Sequence, residues 1–159
     1  MEETAILDAL KERFPKGVVE ASVPLGDATV VIRRDALLAI IPFLKEKPYE
    51  FAVLLDLTCV DYPERAERFE MVYHLFSLVT NKRLRIKLSV PESAAVVDSL
   101  VRFWKNADWL EREVFDMFGV RFAGHPNLRR LFMNDDFEGH PLRKDYPLRK
   151  RQPMIQLRK

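Results

Sequence analysis

The sequence predicts an α+β protein: a two-layer mixed sheet with helices packed on one face, in the order α-β-β-α-β-β-β-α-α, followed by an extended irregular C-terminal arm. Three observations carry this. Residues 83–90 alternate strictly, with Leu84, Ile86, Leu88 and Val90 on one side and Arg83, Arg85, Lys87 and Ser89 on the other, the mark of a strand with one wet face. Two segments, Ile6-Leu7-Leu10-Phe14 and Leu37-Leu38-Ile41-Leu44, carry a single apolar stripe at helical spacing. Residues 120–159 hold Pro126, Pro141, Pro147, Pro153, Gly124 and Gly139 and sustain neither period.

The elements follow in order. A first helix spans about Glu3 to Phe14 and stops at Pro15 and Gly17. Val18–Val23 and Ala28–Ile32 flank Pro24-Leu25-Gly26-Asp27 as a hairpin. Asp35 is placed to cap a second helix running to Lys45. Tyr49–Val60 is almost continuously apolar, as a central strand covered on both faces would be. Phe69–Val79 and the alternating segment after Asn81-Lys82 give two more strands. Ser93 is expected to cap a helix carrying Ala94, Val97, Leu100 and Val101. Asp108 caps the last helix, Trp109–Phe118, which Gly119 closes. Two units are therefore expected: an α+β domain over 1–119 and an arm over 120–159.

Composition bounds the function. A chain of 159 residues with 48% apolar content can build one core. No apolar run approaches the ~20 residues needed to span a bilayer. The N-terminal Met-Glu-Glu-Thr lacks the basic and apolar regions of a signal peptide, so a cytosolic location, or the cytosolic side of a membrane, is expected. The lone Cys59 excludes an internal disulfide and a self-contained iron–sulfur cluster, and its apolar surroundings fit a small buried hydrophobe. The net charge of +2 is asymmetric: −4 over residues 1–119 and +6 over 120–159. The arm also carries Phe122, Leu128, Leu131, Phe132, Met133, Phe137, Leu142, Tyr146, Ile155 and Leu157, far more apolar side chains than a disordered tail keeps. A basic, irregular, apolar-studded arm points to ordering on a partner surface.

Three chemistries can be weighed on the residues. Along the last helix, Arg112, Glu113 and Asp116 share the side opposite the apolar arc, Arg112 and Asp116 standing four residues apart, while Glu111 falls inside that arc. Paired carboxylates can serve acid–base catalysis, but no nucleophile, oxyanion donor or metal set stands beside them in sequence. His74 reads as a structural histidine within a strand. His125 and His140, with Asp135, Asp136 and Glu138 between them, match no standard metal spacing. Arg129-Arg130 and Arg143-Lys144 near Phe132 and Tyr146 would suit a nucleic-acid strand, against which stand the acidic domain and the lack of a recognised binding motif. Neither a P-loop nor a dinucleotide fingerprint is present.

The block Glu111-Arg-Glu113, Asp116, Gly119, Phe122, His125-Pro126, Leu128-Arg-Arg130, Asp136-Phe-Glu-Gly139 and Pro141-Leu-Arg-Lys-Asp-Tyr146 resembles the signature of the NADH:quinone oxidoreductase C subunit, a small hydrophilic peripheral-arm component of respiratory complex I. The resemblance implies a cofactor-free accessory subunit of a proton-translocating complex. Iron–sulfur clusters, flavin and quinone would sit on partner subunits, and this chain would have no catalytic or metal site. It implies as partners the large quinone-pocket D subunit and neighbouring iron–sulfur subunits, with the chain peripheral on the cytoplasmic face of the inner membrane. Equivalent subunits serve membrane-bound hydrogenases and ferredoxin- or deazaflavin-dependent complexes, which the block does not distinguish. With the sequence ending at Lys159, separate polypeptides are expected for the C and D subunits. Partner contact is expected from Glu111, Arg112, Glu113, Asp116, His125, Arg129, Arg130, Phe132, Phe137, Gly139, Arg143, Lys144, Asp145 and Tyr146. In this reading the aromatic rings anchor the arm and the charged groups set its register.

Overall fold

A computed structural model of the chain describes residues 3–149. Ile155 and Leu157 of the predicted arm lie outside the described residues. Helix α1 (Glu3–Arg13) leads into the hairpin of β1 (Val18–Ser22) and β2 (Ala28–Ile32), joined through a single turn at Pro24–Gly26. Helix α2 (Leu37–Lys45) follows, then β3 (Val53–Asp61), β4 (Phe69–Ser77) and β5 (Lys82–Val90). The five strands form one mixed sheet in the order β1-β2-β5-β4-β3, in which only β2 and β5 run parallel.

Register explains the core. Val30 pairs with Ile86, Ile86 with Tyr73, and Tyr73 with Leu57, so one row of side chains crosses four strands on the same face. All four are buried. Against that face pack Ile6, Leu7 and Leu10 of α1 and Leu37, Ile40, Ile41 and Leu44 of α2. The opposite face carries Glu70, Arg85 and Lys87, with Lys87 bonded to Glu70 at 2.9 Å. The helices on one face and the alternating β5 are thus as the sequence predicts.

Three local expectations are corrected. First, β3 is an edge strand, not a central one, and it begins at Val53. Residues 49–52 turn back instead: Glu50 has φ +49, and the Phe51 N–H donates to the Leu44 carbonyl at the end of α2. The apolar run overstates coverage because Leu55 sits at a register shift and is exposed. Second, Ser93 caps no helix. A turn at Glu92–Ala94 precedes a short strand, β6 (Val96–Asp98). Ala94, Val97 and Leu100 suit a helix by spacing, but β6 finds a parallel partner in β7 (Arg121–Ala123), which lies beyond the last helix. Third, neither Asp35 nor Asp108 caps a helix through its side chain. Asp35 instead pairs bidentately with Arg33 in the solvent-exposed turn before α2.

The last helix, α3 (Ala107–Phe118), lies over β3 and buries Ala107, Val114, Met117 and Phe118 in the core. The loop before it is pinned to the start of β3: Trp104 Nε1 donates to the Ala52 carbonyl and Asn106 Nδ2 to the Leu54 carbonyl, both at 2.8 Å. Gly119 ends α3 with φ +80. Val120 and Phe122 then enter the core, and β7 pairs in parallel with β6.

Candidate interaction surface

Residues 124–149 do not extend away from the domain. They lie as a strap along α3, and the polar side chains of the predicted block tie them there. Asp116 is the principal anchor. Its fully buried carboxylate accepts the backbone N–H groups of Leu131, Phe132 and Met133 on Oδ2, at 3.0, 2.8 and 2.9 Å. Its Oδ1 accepts Arg130 at 2.7 Å. Three successive amides converging on one oxygen make a backbone nest whose anion is supplied by the chain itself. Burial pushes the Asp116 carboxyl up, but the Met133 amide, Arg130 and the two neighbouring amides outweigh it and hold it below its ordinary value.

Arg112 works from one turn earlier. It does not pair with Asp116, as the spacing implies; its guanidinium donates to the carbonyls of Arg129 and Arg130, both at 3.2 Å. It also lies 5.0 Å from the centre of the Trp109 ring. Arg130 closes the loop by donating to the carbonyls of Phe137 and Gly139. His140 donates Nδ1–H to the Asp116 carbonyl at 2.9 Å. The Asn127 amide donates to Nδ1 of His125, so Nε2–H of that ring donates to the Asp108 carbonyl at 3.2 Å. Gly139 lies against Tyr146, whose ring stacks on Phe137. A Cβ at Gly119 would stand 2.6 Å from His140 Nε2 in a left-handed backbone. Gly119→Ala should therefore cost about 1–2 kcal/mol, read as a melting temperature lowered by several degrees.

A second anchor grips the strap's far end. Arg68, nearly buried, pairs bidentately with Asp61 at 2.7 and 2.9 Å and also holds Glu92 and the strap's Asp145. The Lys144 amide donates to Oδ2 of Asp61 at 2.7 Å, and Arg143 donates to the Phe118 carbonyl at 2.6 Å. The Arg68 hydrogen bonds hold both Asp61 and Asp145 below the usual carboxylate range.

Glu111 stands apart. It is fully buried and accepts the Leu100 N–H at 2.6 Å on Oε1, while Oε2 has no partner. The Tyr73 hydroxyl is likewise buried and unpartnered. Burial raises the Glu111 carboxyl to about 7, against the opposing pull of Ser99 and the Leu100 amide.

The predicted residues therefore divide. Glu111, Arg112 and Asp116 face inward, and Arg130, Arg143 and Asp145 are engaged within the chain. Glu113, Arg129, Phe132, Gly139 and Lys144 are exposed. Trp109, absent from the contacts expected on sequence, is 60% exposed; its signal is a tryptophan on the polar side of an amphipathic helix. Among the described residues no group of three or more His, Cys, Asp or Glu side chains could hold a metal ion. No described helix is long and apolar enough to cross a membrane.

The family described as the 30 kDa subunit of respiratory-chain NADH dehydrogenase matches residues 30–152. This chain belongs to that family. The NADH-quinone oxidoreductase C subunit of Trichlorobacter lovleyi is 46% identical over 143 residues, covering 89% of this chain and 88% of the relative. The C subunit of Geotalea uraniireducens is 43% identical over 139 residues, covering 87% and 84%. Among solved structures, the trypsin-resistant fragment (1-134) of Nqo5 superposes with a TM-score of 0.71 at 30% identity, covering 80% of this chain and 100% of that one. A chain of the membrane-bound sulfane sulfur reductase, an archaeal respiratory membrane complex, superposes at 0.78 with 25% identity, covering 93% and 87%. The α+β class and the family resemblance read from the block are both borne out.

Proposed function

We propose that this chain is a cofactor-free accessory subunit of a proton-translocating NADH:quinone oxidoreductase of the complex I type. It sits peripherally on the cytoplasmic face of the inner membrane and holds the peripheral arm together beside the large quinone-pocket D subunit. Iron–sulfur clusters, flavin and quinone are carried by partner subunits. The observation that carries the reading is the family match over residues 30–152. The chemistry of the site supports it. The charged side chains of the block tie a strap to α3 through backbone amides and carbonyls, which suits a shaped contact surface better than a reaction centre. The exposed Glu113, Arg129, Phe132 and Lys144 are the contacts this reading assigns to partners.

The test is to tag the chain in its native host, identify the proteins that co-purify, and assay membranes from a strain lacking it. The D subunit and cluster-bearing subunits are expected to co-purify, and NADH-driven quinone reduction is expected to fall to background without the chain. Recovery of the chain alone, or membranes with normal activity, would sink the proposal. The likeness to the sulfane sulfur reductase chain favours a second reading, the equivalent subunit of a related membrane complex such as a hydrogenase or a ferredoxin- or deazaflavin-dependent dehydrogenase. Co-purifying electron-input subunits other than those for NADH would select it.

A further inference from the structure

Two large aromatic side chains stand in solvent on the α3 side of the molecule: Trp109, 60% exposed, and Phe132, 61% exposed. Neither position is accidental in the geometry. The amides of Leu131, Phe132 and Met133 all turn inward to Asp116, and the carbonyls of Arg129 and Arg130 turn inward to Arg112. With its backbone fixed from behind, the Phe132 ring is left on the outside. Trp109 rests beside the guanidinium of that same Arg112. Trp109, Arg112 and Asp116 lie on one face of α3, with Trp109 and Asp116 about 10 Å apart along the helix axis, so the two rings share one buried scaffold.

We propose that Trp109 and Phe132 are paired aromatic anchors that seat the chain on a partner protein, held in place beforehand by Arg112 and Asp116. The inference rests on the proposed subunit role and names the contact within it. Rigid, exposed aromatic rings are the side chains that dominate the energetics of protein interfaces, because they bring large apolar area at little entropic cost. Fixing them before contact removes part of the ordering cost of association. The occupant is a protein rather than an anionic membrane or nucleic acid because the exposed charges within four residues of the two rings in sequence include both signs: Arg129, against Glu113, Asp135 and Asp136. The three acids interrupt the continuous basic track that a polyanion would need. A protein offering two apolar depressions with a mixed-charge rim is complementary.

The test uses the full-length tagged chain in its host, comparing Trp109→Ala/Phe132→Ala with a control, Leu78→Ser/Val79→Ser. The control residues are exposed at the β4–β5 turn, at the end of the sheet opposite the strap's grip on Asp61. Both purified variants should keep the wild-type circular dichroism and melting temperature. The aromatic variant should recover at least tenfold less of the partner subunits, and the control should recover wild-type amounts. Should the double variant melt early, Trp109→Gln and Phe132→Gln, each expected to lower recovery severalfold at an unchanged melting temperature, carry the test. Wild-type recovery by the aromatic variants, or an equal loss in the control, overturns the proposal. Trp109-dependent binding of the wild-type chain to phosphatidylglycerol vesicles overturns it in favour of a membrane. A wild-type chain that recovers no partner at all overturns the subunit role itself and this contact with it.

Discussion

Asp116→Ala is expected to release the strap and lower the stability of the chain by about 3–5 kcal/mol, the range found when one partner of a buried ionic pair is removed. The cause is specific. One carboxylate satisfies three backbone amides and the Arg130 guanidinium in a site shielded from water. Alanine leaves those donors without acceptors, at the full desolvation cost of each that stays buried. At about 2–4 °C per kcal/mol for a chain of this size, the melting temperature should fall by roughly 6–20 °C. Hydrogen exchange gives the sharper reading: the amides of Leu131, Phe132 and Met133 should lose protection while those in β4 and β5 keep theirs. Unchanged protection at 131–133 in the variant would show that Asp116 does not organise the strap. Asp116→Asn keeps one acceptor oxygen and should fall between the two.

Glu111 sets the second expectation, in the pH dependence of stability. Its carboxyl is raised from 4.5 to about 7 by burial, so the folded chain binds the proton more tightly than the unfolded chain does. That stabilisation is fully present below pH 4.5 and is lost as the pH rises through about 7. For a fully buried group the shift corresponds to something on the order of 3 kcal/mol. His74 and His140, both pushed down by burial, act in the opposite sense over part of the same range. The diagnostic is therefore the difference between Glu111→Gln and wild type in urea unfolding. Near pH 5 the two should be close. By pH 8 the variant should be the more stable by up to that amount, because its amide keeps an acceptor for the Leu100 N–H and never ionises. A constant difference from pH 5 to 8 would refute the assignment.

The interior of the sheet is legible in the sequence because its strands are governed by a local period: Leu84, Ile86, Leu88 and Val90 show their buried side without reference to anything distant. Gly119 is equally readable, since a glycine directly after an amphipathic helix is the residue that closes it at least steric cost. What is not legible depends on long-range pairing. The strand at Val96–Asp98 exists because Arg121–Ala123 lies beside it, and its apolar spacing is indistinguishable from one helical turn. The same limit applies to the candidate surface. The block from Glu111 to Tyr146 is visible as a unit, but sequence cannot say whether its charges reach outward or back onto their own helix. Asp116 turns back because three successive amides lie within its reach, a fact of backbone geometry with no compositional trace. Trp109 is hidden for a related reason: as a single ring on the polar side of α3 it stands out only once its exposure is known.

Arg68 joins positions far apart in the chain: Asp61 seven residues away, Glu92 twenty-four and Asp145 seventy-seven. Synthesis runs from the N-terminus, so all five strands of the main sheet are complete at Val90 before α3 or the strap exists. During that interval Asp61 and Arg68 have only each other and Glu92, and the apolar face of β3 that α3 will cover is open to water. The closing contacts to Lys144 and Asp145 span 83 and 77 residues of chain, and contacts of such long range are slow to form. A nascent chain thus passes through a period when its sheet is built but uncovered at one end, and that interval is where a chaperone has most to protect.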